Sequence, residues 1–424
     1  MEQVTEKRQQ PERRLLDGLD YYKLTMGQVA LERCPDTIVT FTMKNRAETP
    51  LSKYVDQQQL QERFEEIRQK GVSDEERNYL AQLTDSRGKP RFGTPYLDFL
   101  SSLHLTNVDV SVDPATNDLA IEATGPWANV SLWETVVMSE VNEAYYTNLL
   151  EAKGISQEAA WAEGNRRLDE KMTRLRNRPD IKFADFGTRR RFSAEWHAHV
   201  VGRLATELPD NLIGTSNPWL ASTYNLTPIG TYAHEMPMVY AALADRTDAQ
   251  PLDGHREMMN TWFDRYDEDL SIALTDTFTS DFFFSDMTPE QAEQWRGLRH
   301  DSGDPIQFGE QAIRFYEDLG INPLEKTIVF SDGLDLDTIE QLADHFTGKI
   351  NVVFGWGTSL MNDLGFKANN FVMKATNVNG IDTVKLSDSV GKHTGPADQV
   401  ERYIALKDAR IAVNAALKEK VFVS

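Results

Sequence analysis

The sequence predicts an α/β protein in two parts, with βα units over residues 136–374 behind a separate α+β domain over residues 1–135. Three observations carry this reading. From residue 181 onward, short β-type runs alternate with helical patterns, the signature of a parallel sheet or barrel. Each of those runs ends in a polar cluster, and the loops that follow the strands of a βα barrel are where such a fold assembles its chemistry. The first 135 residues look different, as alternating strands separated by a helix and by turns. A length of 424 residues also exceeds what one hydrophobic core usually supports. A doubly wound open sheet shares much of the pattern after residue 181, so the sequence leaves barrel and open sheet as alternatives.

In the first part, residues 37–43, 108–112 and 119–124 alternate as strands do, around a helical stretch at 60–70 and a turn at Asp113-Pro114. Seven candidate strands follow in the second part, at 181–186, 211–213, 227–231, 272–274, 297–299, 326–330 and 350–354. Helices fill the spaces. Leu336, Ile339, Leu342, Ala343 and Phe346 recur with a 3.6-residue period before Gly348. A similar stripe runs through Ala312, Phe315, Tyr316 and Leu319 to Gly320. Thr288-Pro289-Glu290-Gln291 has the makings of a capping box. Residues 371–378 and 383–387 form a candidate hairpin around Asn379-Gly380, and segment 375–424 is expected to return to the first domain.

Composition excludes several classes of function. A net charge of -21, from 66 acidic and 45 basic residues, argues against a general nucleic-acid surface. Anionic ligands must therefore meet local basic residues, which points to Arg189, Arg190, Arg191 and Arg299. No apolar run approaches the roughly 18 residues of a membrane span. Residues 1–14 resemble neither a signal nor a transit peptide and are expected to form a disordered or extended tail on a cytoplasmic protein. The one cysteine, Cys34, rules out an internal disulfide and a cysteine-rich metal site.

The strand-end motifs suggest anion chemistry. Asp185-Phe186-Gly187-Thr188 leads into three arginines, and guanidinium groups bind carboxylates and phosphates bidentately. The same three arginines could equally be the solvated start of a helix. Gly214-Thr215-Ser216-Asn217, Gly230-Thr231-Tyr232-Ala233-His234-Glu235 and Gly355-Trp356-Gly357-Thr358 can each present backbone N–H groups to an anion, although short glycine turns are common. Arg299-His300-Asp301-Ser302-Gly303-Asp304-Pro305 sets a cation beside carboxylates that can hold ribose hydroxyls or Mg²⁺, or it is an Asp-rich turn. His197 and His199 lie two apart on a predicted helix over 192–204, where they point away from each other and cannot form a metal pair. His234 differs, because it follows a strand-end turn on the expected catalytic face.

Together with Asp20-Tyr21-Tyr22-Lys23-Leu24-Thr25-Met26 and the segments 272–278, 329–335 and 385–392, these motifs stand in the order and spacing of bacterial nicotinate phosphoribosyltransferases. The chain resembles that family over nearly its whole length after residue 14. The resemblance implies a type II phosphoribosyltransferase fold, an irregular, incomplete βα barrel packed on an N-terminal α+β domain, working as a homodimer with shared active sites. It implies conversion of nicotinate, phosphoribosyl pyrophosphate (PRPP), ATP and water to nicotinate mononucleotide, pyrophosphate, ADP and phosphate, the first step of NAD salvage from nicotinate. Mg²⁺ would be carried by PRPP and ATP, with no tightly bound organic cofactor.

By motif position, His234 matches the histidine that the family phosphorylates, and Asp276 the carboxylate that orients its ring. Phe186 and the partner subunit's Tyr22 match the pair that stacks on the pyridine. Arg189 matches a substrate contact, Arg299 a pyrophosphate contact and Asp301 a ribose contact. Gly333, Gly355, Gly357 and Thr358 resemble the loops that hold the 5′-phosphate. Ser216 stands where nicotinamide-using relatives carry an aspartate, which would repel a carboxylate, and this favours nicotinate. Two positions depart from the pattern: Leu19 replaces a threonine, and Trp356 replaces a smaller aliphatic residue and is large enough to crowd the phosphate loop. The alternatives are a nicotinamide phosphoribosyltransferase and a catalytically silent pyridine-nucleotide binding protein.

Overall fold

The computed structural model describes residues 14–247, 250–389 and 391–423, so the expected tail lies outside the described residues apart from Arg14. The chain first lays down β1 (Ile38–Asn45), β2 (Val108–Asp113) and β3 (Asp118–Pro126). Six short strands follow: β4 (Phe183–Asp185), β5 (Leu212–Thr215), β6 (Ile272–Leu274), β7 (Gly297–His300), β8 (Thr327–Phe330) and β9 (Asn351–Trp356). The last two are β10 (Phe371–Val378) and β11 (Ile381–Asp382).

Alternation builds the first sheet. Val39, Phe41 and Met43 of β1 are buried while their neighbours in sequence are more exposed, and the strand pairs antiparallel with β3 on one side and β10 on the other. The order is β11-β10-β1-β3-β2. The expected hairpin turns at Asn379-Gly380, but its second strand is the two-residue β11, not 383–387; Lys385 makes only an isolated bridge with Thr394. Of the C-terminal segment, β10 and β11 join this sheet. Helix Ala397–Val423 packs instead on helix Ser280–Asp286 beside the second sheet, with Tyr403 against Phe278 at 5.8 Å between ring centres. Helix Trp133–Lys153 runs across the boundary expected at 135/136.

The second sheet is parallel, in the order β5-β4-β9-β8-β7-β6. Its first strand, β4, pairs with its last, β9, and residues of all six strands line one cavity, which fits the expected incomplete barrel better than a doubly wound sheet. The barrel is nevertheless open at one seam, between β5 and β6. Residues 227–231, expected as a strand, lie in this gap without forming one. Pro228 has no N–H to offer a neighbour, and the segment is held by Ile229 N–H to Thr215 O at 2.8 Å and Thr231 Oγ1 to Ile272 O at 3.1 Å.

Helix Tyr21–Arg33 enters the seam. Tyr21 N–H donates to Ser216 O at 2.6 Å, and Thr25 Oγ1 donates to Thr231 O at 3.0 Å. Glycine at 230 makes the approach possible, because a Cβ there would lie 3.1 Å from the Tyr22 backbone nitrogen. The helix is then locked by charge. Lys23, fully buried, pairs with Glu134 at 2.6 Å and with Glu235, and Glu235 also accepts from Trp127 Nε1 at 2.6 Å. Among the described residues no helix is long and apolar enough to cross a membrane.

Removing one member of a buried charge cluster costs about 3–5 kcal/mol, because its partners stay charged in a low-dielectric site. Lys23→Met is expected to lower unfolding stability by that amount in urea titrations. A loss below about 1 kcal/mol, the level of an exposed ion pair, would show that the cluster does not hold the helix.

Candidate active site

A cavity of about 400 Å³ occupies the barrel lumen. Its rim is formed by Asp20 and Tyr22 from the N-terminal helix and by Phe186, Arg189, Ser216 and Arg299 from strand ends, and deeper in it is lined by aliphatic residues such as Ile272, Val329 and Val353. Phe186 follows β4, where its N–H donates to Trp356 O at 3.0 Å. Its ring lies over Gly355, where any Cβ would be 2.4 Å from the ring, so glycine is required there. Arg189 donates to Asp20 Oδ2 at 2.6 Å and to the Tyr22 hydroxyl at 2.9 Å, while Ser216 Oγ donates to Asp20 Oδ1 at 2.6 Å. The lining thus carries one carboxylate, paired with Arg189, against three guanidinium groups, those of Arg189 and Arg299 near the strand ends and of Arg296 before the start of β7, and the cavity favours an anionic guest.

Arg299 links this cavity to a second cluster. Its Nη2 donates to Asp301 Oδ1 at 3.0 Å and its Nε to Ser331 Oγ at 2.9 Å, and Asp301 Oδ2 lies 3.0 Å from His234 Nε2. Lys385 Nζ is 2.9 Å from the same ring nitrogen and 3.2 Å from Asp276 Oδ2, which also accepts from Ser302 Oγ at 2.6 Å. On the far side of the ring, Nδ1 is 3.0 Å from Thr277 Oγ1, so either neutral tautomer finds partners for both nitrogens. Burial, reinforced by the Lys385 ammonium, pushes the imidazole down to about 4 against the pull of Asp276 and Asp301. Burial also opposes the Asp301 charge, but Arg299, His234 and Lys385 outweigh it and hold that carboxyl well below the usual range.

More cations surround the cluster than its own acids neutralise. Burial, with Lys385 and Arg189 nearby, pushes Lys374 down to about 8 despite Glu134. Burial beside Arg189 and Arg46 pushes Arg190 down to about 10. Such groups regain their ordinary basicity when an anion arrives. His234, Asp276 and Asp301 have ligand atoms within 4.8 Å of one another, as a metal site needs. The Lys385 ammonium already sits against two of the three, so a divalent ion fits here only when phosphate oxygens bring it in.

The sequence matches the nicotinate phosphoribosyltransferase (NAPRTase) family over residues 181–418 and that family's N-terminal domain over residues 18–142. The chain belongs to the nicotinate phosphoribosyltransferase family. A nicotinate phosphoribosyltransferase of Chromobacterium violaceum is 39% identical over 391 residues, which covers 90% of this chain and 92% of that protein. One of Burkholderia pseudomallei is 37% identical over 387 residues, covering 89% and 92%. The crystal structure of nicotinate phosphoribosyltransferase from Porphyromonas gingivalis superposes with a TM-score of 0.84 at 30% identity, covering 94% of this chain and all of that one. The structure from Vibrio cholerae gives 0.84 at 30%, covering 97% and 98%.

Against the expectations raised by that family, the structure brings His234, Asp276, Asp301 and Arg299 together, and Phe186, Arg189, Ser216 and Tyr22 around one cavity. Three contacts refine those expectations. Tyr22 lines the cavity of its own chain, where its hydroxyl accepts from Arg189. The carboxylate within hydrogen-bond distance of the His234 ring is that of Asp301, which accepts from Nε2, while Asp276 stands at 3.7 Å and acts through charge. Ser216 does not leave its corner free of carboxylate, because Asp20 bonds to it; Arg189 on the other oxygen offsets that charge.

Gly333, Gly355, Gly357 and Thr358 cluster where β8 and β9 end, beside the cavity but outside its lining. Trp356 does not crowd them, since its ring is fully buried edge-on to Phe183 at 5.4 Å, on the face of the sheet away from the lumen. Leu19 is buried in the core. His197 Nε2 meets Asp185 at 2.7 Å and His199 Nε2 meets Asn165 at 2.7 Å, so the two rings serve different partners. Sequence reasoning gave no role to Asp20, Thr277 or Lys385. All three lay within recognised motifs, but nothing in their spacing tells which atoms they reach.

The place of Tyr22 in the cavity of its own chain predicts that Tyr22→Ala and His234→Ala chains, each inactive in ATP-coupled turnover, regain nothing when unfolded and refolded together. Recovery of roughly a quarter of the sites, the yield of random pairing with shared sites, would place Tyr22 in trans. A second prediction concerns protonation. The unfolded imidazole takes up its proton near about 6.5 and the folded one near about 4, so the stability tied to His234 is whole above about 6.5 and is lost as the pH falls through about 4. NMR titration of the His234 ring, assigned with His234→Gln, is expected to show a neutral ring at pH 6; half-protonation near 6.5 would contradict the burial argument.

Proposed function

We propose that this protein joins nicotinate to the phosphoribosyl group of PRPP and couples the reaction to ATP through a phosphohistidine at His234. The observation that carries this reading is the continuous path from Arg299, on the rim of a cation-lined aromatic cavity, through Asp301 to a buried neutral histidine.

In the ribosyl step the pyridine ring lies against Phe186 and Tyr22, with its carboxylate drawn by the guanidinium groups. The pyridine nitrogen attacks C1 of the ribose, and the C1–O bond to pyrophosphate breaks. Positive charge develops on the sugar and negative charge on the leaving group, so the contribution of the protein is orientation and a cation aimed at the pyrophosphate, the role of Arg299. Asp301, held ionised, accepts from ribose hydroxyls. Mg²⁺ enters as part of PRPP and ATP. In the coupling step a lone pair of the neutral His234 ring attacks the γ-phosphorus of ATP and ADP leaves; water later cleaves the P–N bond and releases phosphate. A ring of ordinary basicity would be partly protonated at neutral pH, so its low proton affinity suits it to this task. Lys385 and Lys374 would neutralise the phosphoryl charge.

The deciding assay follows nicotinate mononucleotide and phosphate release with nicotinate and nicotinamide side by side, with and without ATP. Preference for nicotinamide would transfer the function to the alternative in which Asp20 supplies the carboxylate that Ser216 lacks. No product from either would leave only a binding protein. His234→Ala is expected to abolish ATP hydrolysis and the phosphoenzyme while slow, ATP-independent product formation persists, because the ribosyl step uses no histidine nucleophile. A normal phosphoenzyme in that variant would rule out His234.

A further inference from the structure

Trp356 is fully buried, yet its indole N–H is spent on a single partner, Ser359 Oγ at 2.6 Å. Ser359 Oγ in turn donates to Leu334 O at 2.5 Å, so the hydroxyl uses its one proton and accepts one. Ser359 lies in the short helix Thr358–Met361 that follows β9, and Leu334 in the loop after β8, next to Gly333. The same indole residue holds the pyridine platform, because its carbonyl accepts from Phe186 N–H at 3.0 Å and the neighbouring Gly355 supports the Phe186 ring. From outside, Lys171 Nζ donates to Ser359 O at 2.7 Å and pairs with Asp363 at 2.5 Å, which Arg167 also holds at 2.8 Å.

We propose that Trp356 is a positioning residue for PRPP: through Ser359 and Leu334 it fixes the two loops that receive the 5′-phosphate in one register with the Phe186 platform. The inference rests on the function proposed above, with the loops after β8 and β9 receiving the 5′-phosphate of PRPP, the role that the family resemblance gives Gly333, Gly355, Gly357 and Thr358. A phosphate cradle made of backbone N–H groups has no side chain with which to correct its own position, so its geometry depends on what anchors the loops. A smaller aliphatic residue at 356 has no N–H and cannot reach Ser359. Trp356 therefore adds to this chain a link between neighbouring loops that an aliphatic residue would leave independent.

The test uses Trp356→Phe, which keeps an aromatic ring beside Phe183 but loses the N–H, and Ser359→Ala, which loses both hydrogen bonds and removes almost no volume. Each is expected to raise KM for PRPP about five- to tenfold, the scale of one or two lost buried hydrogen bonds. Values of kcat and of KM for nicotinate should stay within about twofold, and the double variant should be no worse than the worse single one, as coupled residues behave. Unchanged KM for PRPP in both variants overturns the proposal. So does a rise shared equally by both substrates with a lower Tm, since that is the mark of a packing role. Calorimetric binding of PRPP separates this inference from the reaction. A wild-type protein that binds PRPP but forms no nucleotide overturns the reaction alone, and the variants' PRPP affinities then decide Trp356; a wild-type protein that binds none overturns both.

Discussion

The site depends on one mechanical fact: the barrel is open between β5 and β6, and the N-terminal helix fills the gap. Pro228 removes a donor where a seventh strand would need one, and Gly230 lets the helix start come within van der Waals contact of the seam. The buried Lys23 ammonium then ties the helix to Glu134 and Glu235, and Glu235 directly follows His234. Two residues of one motif, Asp20 and Tyr22, enter the lumen as a consequence. An edge left unpaired is ordinarily a liability in a sheet. Here it admits the helix that completes the pocket.

The electrostatics follow from burial. A histidine, two aspartates, a lysine and an arginine share a space where each charge is costly alone, and none is stable there without the others. The low-cost arrangement keeps the carboxylates charged against Lys385 and Arg299 and the imidazole neutral. Lys374 and Arg190 remain with depressed basicity nearby, an excess of positive potential whose natural complement is a polyphosphate. Pyridine cavity and histidine cluster are thereby one electrostatic unit with Asp301 at the junction.

Much of the scaffold was legible along the chain, because it rests on local rules. The 3.6-residue stripe of Leu336–Phe346, the capping box at Thr288 and Gln291, and the turn at Asn379-Gly380 all appear where periodicity and turn chemistry put them. β6 matches its sequence range residue for residue. The failures share a cause. Residues 227–231 have a strand-like pattern but lose to the packing of Tyr22, and 383–387 gives way to a loop that must bring Lys385 to His234. Trp356 looked obstructive because its size was known and its direction was not; strand alternation turns it to the outer face with Asp185 and Phe183, away from the lumen.

What the sequence determined by itself was the set of chemical groups and the strand ends that carry them: the arginines after β4, the carboxylates after β6 and β7, the histidine after the Gly-Thr turn and the aromatic N-terminal motif. Those follow from residue identity and from periods of 2.0 and 3.6, which are local quantities. What only the tertiary structure decided was which atoms meet. Asp301 and not Asp276 bonds His234, Tyr22 meets Arg189, Asp20 bridges Ser216 and Arg189, and Lys385 arrives from 151 residues away. Contacts of that kind are set by how the seam, the helix and the late loop pack in space, and a hydrogen bond, which weakens steeply with distance and angle, is decided by that packing and by nothing in the spacing along the chain.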